Sequence, residues 1–218
     1  MDHRVGLVTV NYLFVYQYLF GLGTMLGASV LEYQKTIRII SSSRISLKLT
    51  VDSHGWVDLV PWVWDESNGS LSRYESIGPD LEGMITLTQT SPTTLELTVD
   101  TNKPVNDLSK AKDFVIRWLS IDWLPDNAIV VAGKLDKRIS QLLKIGAGRM
   151  LRGSTFYEDF VKTICTIQMS WSGTKRMLNS LMELNGTKTF PTPVEILDIG
   201  ELNLRQKAKL GFRAATLI

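Results

Sequence analysis

Cysteine and histidine, which form thiolate and imidazole metal sites and catalytic centres, are scarce in this 218-residue sequence. Cys165 is the single cysteine, which excludes a disulfide framework within the chain and any zinc or iron–sulfur site built on several thiolates. His3 and His54 are the two histidines, too few for a three-histidine metal centre. We therefore expect no metal and no cofactor, and so little cysteine is typical of a reducing compartment.

The charged side chains are unevenly distributed along a chain whose composition, 44% hydrophobic and 21% charged, is that of an ordinary globular protein. Residues 1–133 carry 10 basic and 15 acidic side chains, a net charge of −5. Residues 134–218 carry 14 basic and 7 acidic side chains, a net charge of +7. A basic portion of this kind suits a polyanion such as nucleic acid, and a solvated basic surface is the alternative.

A group of strands is predicted between residues 35 and 100, where β-branched and aromatic residues alternate with polar ones. Asn68-Gly69 and Ser91-Pro92 mark turns, and Pro61, which has no N–H, places its segment at a sheet edge or a bulge. We predict an antiparallel sheet of about five or six strands. The predicted strand segments are TIRIIS, ISLKLTV, WVDLVPWVW, MITLTQ and TLELTV.

Trp56, Trp62 and Trp64 all lie in the third of these strand segments. Tryptophans so close together could form a platform on which nucleobases stack. Large aromatic side chains are more often found in hydrophobic cores, so we expect these three to pack in the core or on the sheet face.

Helical periodicity replaces the strand pattern after Pro104 and continues to the end of the sequence. Ser109 stands near the start of one amphipathic helix, and Leu135, Ile139, Leu142 and Leu143 form the apolar face of another. Strands followed by helices predict an α+β fold. We expect an antiparallel β-sheet domain over residues 35–105 and a helical domain over residues 106–218.

Residues 1–34 are a separate apolar segment, with no charged side chain from Val5 to Leu31. That stretch is long enough to span a bilayer. Three interpretations stay open: a membrane anchor, a signal-like segment, or an extension upstream of a true start at Met25. The segment is left out of the fold argument.

The stretch from Leu151 to Trp171 predicts a helix that ends in a tight turn. Thr155 and Glu158 form a capping box at its start, and one buried face is expected to contain Phe156, Phe160, Ile164 and Ile167. Gln168-Met169-Ser170 is the expected turn. A second helix follows, with Leu178, Leu181 and Met182 buried and Asn185-Gly186 at its end. Thr192-Pro193-Val194-Glu195 is a second capping box, with proline at the first helical position.

These residues resemble the helix-hairpin-helix DNA glycosylases of base excision repair, the group that includes 8-oxoguanine and 3-methyladenine glycosylases. The resemblance is carried by three motifs in the same order and spacing as in that family, and it covers residues 109–218 well and the preceding sheet less closely. The three motifs are LRGSTFYEDFVKTICTIQMSW, FPTP and LGFRA. The resemblance implies a sheet joined to a helical domain, and an enzyme that flips a damaged base out of kinked double-stranded DNA.

The resemblance also implies roles for five residues as DNA contacts. Gln168 falls where the family places the wedge that fills the vacated space, with Met169 and Ser170 beside it in the turn. Arg213 matches the arginine that reads the orphaned base opposite the lesion, and Phe212 matches an aromatic that stacks beside it. We expect both Gln168 and Arg213 to be surface residues whose substitution leaves stability nearly unchanged.

Some family features have no match in these 218 residues. Gly173 stands where some relatives have a second arginine, which weakens the case for a strict preference for cytosine opposite the lesion. The phosphate-binding hairpin of the L-P-G-V-G type and the catalytic aspartate that follows it are not matched, so no catalytic residue is assigned. We therefore expect a glycosylase-like protein for damaged purines, truncated before its catalytic hairpin and inactive as this fragment.

Two other functions stay open at this stage. One is a non-catalytic DNA-binding or interaction protein with the same fold. The other is a membrane-anchored protein, held through residues 5–31. We expect a monomer that binds double-stranded DNA with a damaged base, in a DNA-containing compartment, nuclear or cytoplasmic, rather than on a membrane.

Overall fold

A computed structural model describes residues 31–218 of the chain, and most of the apolar segment 1–34 lies outside them. Within the described residues, five antiparallel strands form one sheet in the order β1-β5-β4-β3-β2. The strands are β1 (Tyr33–Ile40), β2 (Val63–Asp65), β3 (Ser70–Gly78), β4 (Leu81–Ser91) and β5 (Thr94–Thr101). Asn68-Gly69 lies in the β2–β3 hairpin and Ser91-Pro92 at the β4–β5 hairpin, which confirms both predicted turns.

Two of the predicted strand segments adopt other structures. ISLKLTV is not a strand, because Ser46 accepts a hydrogen bond from the Leu49 N–H and starts helix α1 (Leu47–Val51). WVDLVPWVW begins with a 3-10 helix over Trp56–Asp58, and only its end forms the edge strand β2. β3, which was not among the predicted segments, supplies the fifth strand.

The strand β3 escaped prediction because two of its inward-facing side chains are charged. Leu71 and Ile77 are buried on the same face of the strand as Arg73 and Glu75. An alternation of apolar and polar residues is the usual signal for a half-buried strand, and charges at the inward positions hide it.

The helices form the second part of the α+β fold, which confirms the predicted class. They are α2 (Ser109–Leu119), α3 (Asp126–Leu135), α4 (Lys137–Lys144), α5 (Phe156–Thr166), α6 (Trp171–Asn185), α7 (Pro193–Ile199), α8 (Glu201–Gln206) and α9 (Ala214–Leu217), with a 3-10 helix over Gly211–Arg213. The Thr192–Glu195 capping box at α7 and the left-handed Gly186 after α6 are both as predicted. No helix within residues 31–218 is long and apolar enough to cross a membrane.

Two hydrophobic clusters hold these elements. The first joins the sheet to α1 and α2, with Trp118 fully buried and Trp62 against it at a ring-centroid distance of 4.9 Å. Trp56 and Trp64 are partly buried against the same cluster, so the expectation of core packing for the tryptophans is confirmed. The second cluster is made mainly by α5 to α9 and includes Leu59, with Cys165, Leu178 and Leu181 fully buried. The division into two domains at residue 105 stays a prediction.

The predicted helix around Leu135–Leu143 is interrupted, and its apolar face is exposed. Asp136 ends α3 and caps α4 by accepting a hydrogen bond from the Arg138 N–H, so two short helices form a hairpin. Leu135, Ile139 and Leu142 are exposed on this hairpin instead of lining a core. Helical periodicity identifies an apolar face but does not supply the surface that covers it.

Candidate nucleic-acid interface

Thr155 caps the start of helix α5 as predicted, but the capping box is incomplete. The Thr155 hydroxyl accepts a hydrogen bond from the Glu158 N–H at 3.0 Å. The Glu158 carboxylate does not return to Thr155, because it is fully buried and bound elsewhere. The prediction that the Glu158 side chain bonds the Thr155 N–H is therefore wrong.

The Glu158 carboxylate joins α5 to the sheet through a buried charge network. Both guanidinium ends of Arg73 donate to it at 2.9 Å, and the Lys162 ammonium donates at 2.6 Å. Glu75 completes the network with a 2.6 Å ion pair to Arg73. The Arg73 guanidinium also lies 4.4 Å from the ring centre of Trp62. Two cations and two anions thus balance one another in the core, which buried charges require.

The pKa values of the two carboxyls in the network are shifted in opposite directions. Burial alone would raise the pKa of Glu158, but the positive charges of Arg73 and Lys162 outweigh it and hold the pKa at about 2. Burial raises the pKa of Glu75, which has Arg73 as its counter-charge and also faces the negative Glu158. Glu158 is therefore the permanently charged centre of the network at neutral pH.

The face of α5 that was predicted to be buried is largely exposed. Phe156 is 77% exposed, and Phe160 and Ile167 are also on the surface. The buried side of the helix carries Glu158 and Lys162 together with the apolar side chains in contact with α6. The prediction was wrong because it assigned the apolar stripe to the core, whereas the paired charges occupy that position.

The buried cysteine of α5 is not a reactive group. Cys165 has no exposed surface, and burial raises the pKa of its thiol to about 12. A thiol with so high a pKa is protonated at neutral pH and is a poor nucleophile.

The turn predicted at Gln168-Met169-Ser170 lies at the end of α5 and is confirmed. Ile167 leaves the helix in an extended conformation, and Gln168 is left-handed with φ = +49°. Ser170 then caps α6 by accepting a hydrogen bond from the Gly173 N–H at 3.2 Å. All three turn residues are exposed. Left-handed backbone is uncommon for residues other than glycine and often marks a functional position.

A loop from the first half of the chain supports this turn, a feature that the sequence did not reveal. The Trp171 indole N–H donates to the Asp58 carboxylate at 3.0 Å, and the Lys175 ammonium lies 3.4 Å from the same group. The Trp171 ring also packs against the backbone of Gly55, where an added Cβ would lie 3.2 Å from it. Residues 113 or more positions apart meet here, beyond the range of any local pattern.

Gly173 makes room for the turn. The Met169 side chain occupies the space that a Cβ at residue 173 would take. A larger residue at 173 would thus have to displace Met169 from the surface beside Gln168.

The Phe212-Arg213 pair lies in the 3-10 helix before α9, and its two side chains differ in exposure. Phe212 is 58% exposed, whereas Arg213 is 4% exposed. The Arg213 guanidinium donates to the carbonyl of Ile167, the residue that precedes Gln168. The structure thus brings the two predicted DNA-contact segments together, but the expectation that Arg213 is a surface residue is wrong.

Comparison with known proteins gives a fold but no sequence relative. No protein-family model matches the chain, and no curated protein matches it. A 3-methyladenine DNA glycosylase from Archaeoglobus fulgidus matches in structure with a TM-score of 0.63 and 18% identity, over 83% of this chain and 64% of that one. The 8-oxoguanine glycosylase/lyase of Clostridium acetobutylicum matches in its apo form with a TM-score of 0.59 and 16% identity, over 85% of this chain and 62% of that one.

The fold is DNA glycosylase-like. The same Clostridium acetobutylicum enzyme, in complex with double-stranded DNA containing cytosine opposite 8-oxoguanine, matches with a TM-score of 0.54 and 16% identity, over 83% of this chain and 62% of that one. The chain thus spans less than two thirds of the length of these glycosylases.

Basic side chains lie on the two segments that carry the candidate residues of this glycosylase-like fold. Arg176 on α6 and Lys207 and Lys209 before the 3-10 helix are exposed. Lys209, like Gln168, is a left-handed residue, with φ = +58°. Residues 31–218 contain no group of three histidine, cysteine or acidic side chains that could hold a metal ion.

Proposed function

We propose that this chain is a DNA glycosylase-like protein of base excision repair that binds double-stranded DNA at a damaged base. The structural similarity to two DNA glycosylases, one of them matched also in a complex with damaged DNA, is the observation that carries the proposal. The polar, exposed turn at Gln168 supports it, since a wedge must protrude from the protein to enter a duplex.

Each predicted DNA contact has a place in this proposal. Gln168 is the wedge, and Met169 and Ser170 flank it on the same exposed turn. Phe212 offers an exposed aromatic ring on which a displaced base can stack. Arg213, to which the resemblance assigns the reading of the orphaned base, bonds the Ile167 carbonyl in this structure and so contacts the Gln168 turn itself.

Binding to a lesion analogue tests the proposal directly. We expect the protein to bind a short duplex with a tetrahydrofuran abasic-site analogue about five- to tenfold more tightly than the intact duplex, measured by fluorescence anisotropy. Gln168→Ala should remove most of that preference because the wedge is lost. Gln141→Ala, an exposed glutamine on α4, is the matched control and should retain it.

The same titrations give a salt dependence. Each phosphate contact made by a basic side chain releases a counterion, so affinity for both duplexes should fall steeply between about 50 and 200 mM salt. Equal affinity of the wild-type protein for intact and abasic duplexes at every salt concentration would contradict the proposed function.

We further propose that the 218-residue chain alone does not excise bases. None of its aspartates matches the family's catalytic aspartate, so the oxocarbenium charge that develops during N-glycosidic cleavage would have no positioned carboxylate. We expect abasic-site formation on duplexes with oxidised or alkylated purines to equal that of a protein-free control. Lesion-dependent cleavage above that control, in purified protein, would show that another residue does the chemistry.

A further experiment separates the two DNA-binding functions from each other. Lesion-selective binding without excision would fit either a glycosylase that needs a further segment or a non-catalytic lesion-binding protein. Addition of a polypeptide that carries a helix-hairpin-helix and its aspartate distinguishes them, because only the first would gain activity.

A further inference from the structure

Arg213 is a buried cation that binds the end of a helix. Its guanidinium donates to the Ile167 carbonyl through one nitrogen and lies 3.5 Å from the Leu210 carbonyl through another. The guanidinium carbon lies 4.5 Å from the ring centre of Phe212. Among residues 31–218, the Arg213 Nε atom has no hydrogen-bond partner. The side chain is thus committed to the protein on most of its surface.

The Ile167 carbonyl is a natural acceptor for this cation. Ile167 is the residue that ends α5, where carbonyl groups lack partners within the helix. The helix dipole makes the same end partially negative, which favours a positive group. Because Arg213 is 46 residues away in sequence, this contact joins the C-terminal end of α5 to the last part of the chain.

The next residue, Gln168, depends on where Ile167 is held. Its left-handed backbone is unfavourable for a glutamine unless the surrounding structure imposes it. Backbone hydrogen bonds also constrain the turn, from the Ile167 N–H to the Ile164 carbonyl and from the Met169 N–H to the Thr166 carbonyl, both at 3.3 Å. The bond from the Arg213 guanidinium to the Ile167 carbonyl therefore fixes the residue that precedes Gln168.

We propose that Arg213 is a positioning residue that holds the α5–α6 turn and thereby presents Gln168 to DNA. The role differs from that implied by the resemblance, in which this arginine reads the orphaned base. A guanidinium that is 4% exposed, bonded to a carbonyl and covered by Phe212 is not free to bond a base edge. The effect on DNA rests on the proposed function, whereas the effect on the turn does not.

Amide hydrogen exchange tests the positioning role without DNA. Arg213→Met keeps the unbranched stem but removes every donor, and we expect amides of residues 167–170 to exchange about tenfold faster while those in the core of α6 stay protected. Arg213→Lys retains a cationic donor group and should restore part of the protection. Arg205→Met is the control, since Arg205 is exposed on α8 and pairs with Glu201. Unchanged protection at 167–170 in Arg213→Met would overturn the proposal, as would a uniform loss throughout α6.

Abasic duplexes with each of the four bases opposite the lesion test the consequence for binding. We expect Arg213→Met to weaken binding about five- to tenfold with all four opposite bases, and Gln168→Ala to add little in that background because the two act as one unit. A loss confined to one opposite base would show that Arg213 reads that base and would overturn the positioning role. Failure of the wild-type protein to prefer any abasic duplex would refute the proposed function, and the exchange experiment would still decide the role of Arg213.

Discussion

Replacement of Arg73 by methionine is expected to lower the free energy of unfolding by about 3–5 kcal/mol. The substitution removes the cation that contacts both Glu158 and Glu75, and it leaves two carboxylates and one ammonium in the core. An uncompensated charge in the interior is among the most destabilising consequences of a single substitution. Urea denaturation followed by circular dichroism measures the change. An effect of this size is a large fraction of the stability of a typical domain.

The matched control for this experiment is Arg38→Met on β1. Arg38 is exposed on the outer face of the same sheet, opposite Glu96 on β5, so its loss should change stability by no more than about 0.5 kcal/mol. A double-mutant cycle with Arg73→Met and Glu158→Gln should show strong coupling, since the second substitution removes the excess negative charge that the first leaves in the core. Additive effects of the two substitutions would contradict the network.

Acidification is expected to destabilise the protein through Glu158 by about 3 kcal/mol between pH 4.5 and pH 2. Its pKa is about 2 in the folded protein and takes its ordinary value of 4.5 in the unfolded chain. A carboxyl with a lowered pKa stabilises the folded state above its unfolded pKa and loses that contribution as pH falls toward the folded pKa. Glu75 acts in the opposite direction, because its raised pKa favours the folded state when it takes up a proton.

The pH profile is measured as the free energy of unfolding at a series of pH values. The Glu158→Gln variant should be much less stable than the wild type at neutral pH, and the gap should narrow below pH 4.5 as Glu158 becomes protonated in the unfolded wild-type chain. Glu75→Gln isolates the opposing contribution. A constant gap between the wild type and Glu158→Gln from pH 6 to the acid limit would show that Glu158 is not held charged.

Two copies of one motif show how far local sequence could predict this structure. Thr192 and Glu195 form the predicted capping box, in which each side chain bonds the other residue's backbone. Thr155 and Glu158 have the same spacing, but there the glutamate binds Arg73, which is 85 residues away. Short-range patterns predicted hairpin turns and helix ends because those depend on neighbouring residues. They failed where a distant partner competed for the same side chain.

The candidate site likewise has some features that local sequence predicts and others that depend on distant residues. The turn at Gln168 was predictable because helix propensity weakens there and Ser170 can cap the next helix. The burial of Arg213 and the support of Trp171 by Asp58 were not predictable, since each depends on two elements that meet only in the folded chain. The apolar stripe of α5 was detected correctly, but periodicity does not distinguish a face that packs on a core from one that faces outward.

The charge network also limits how this sequence can change over evolutionary time. Apolar core residues can be exchanged one at a time, because a neighbour of slightly different volume is usually tolerated. Arg73, Glu158 and Lys162 have no such freedom, since each single neutral replacement strands a buried charge. These positions can drift only as a set, through a joint replacement by apolar side chains. Because the Arg73–Glu158 ion pair joins β3 to α5, retention of these residues also retains the orientation of α5 relative to the sheet.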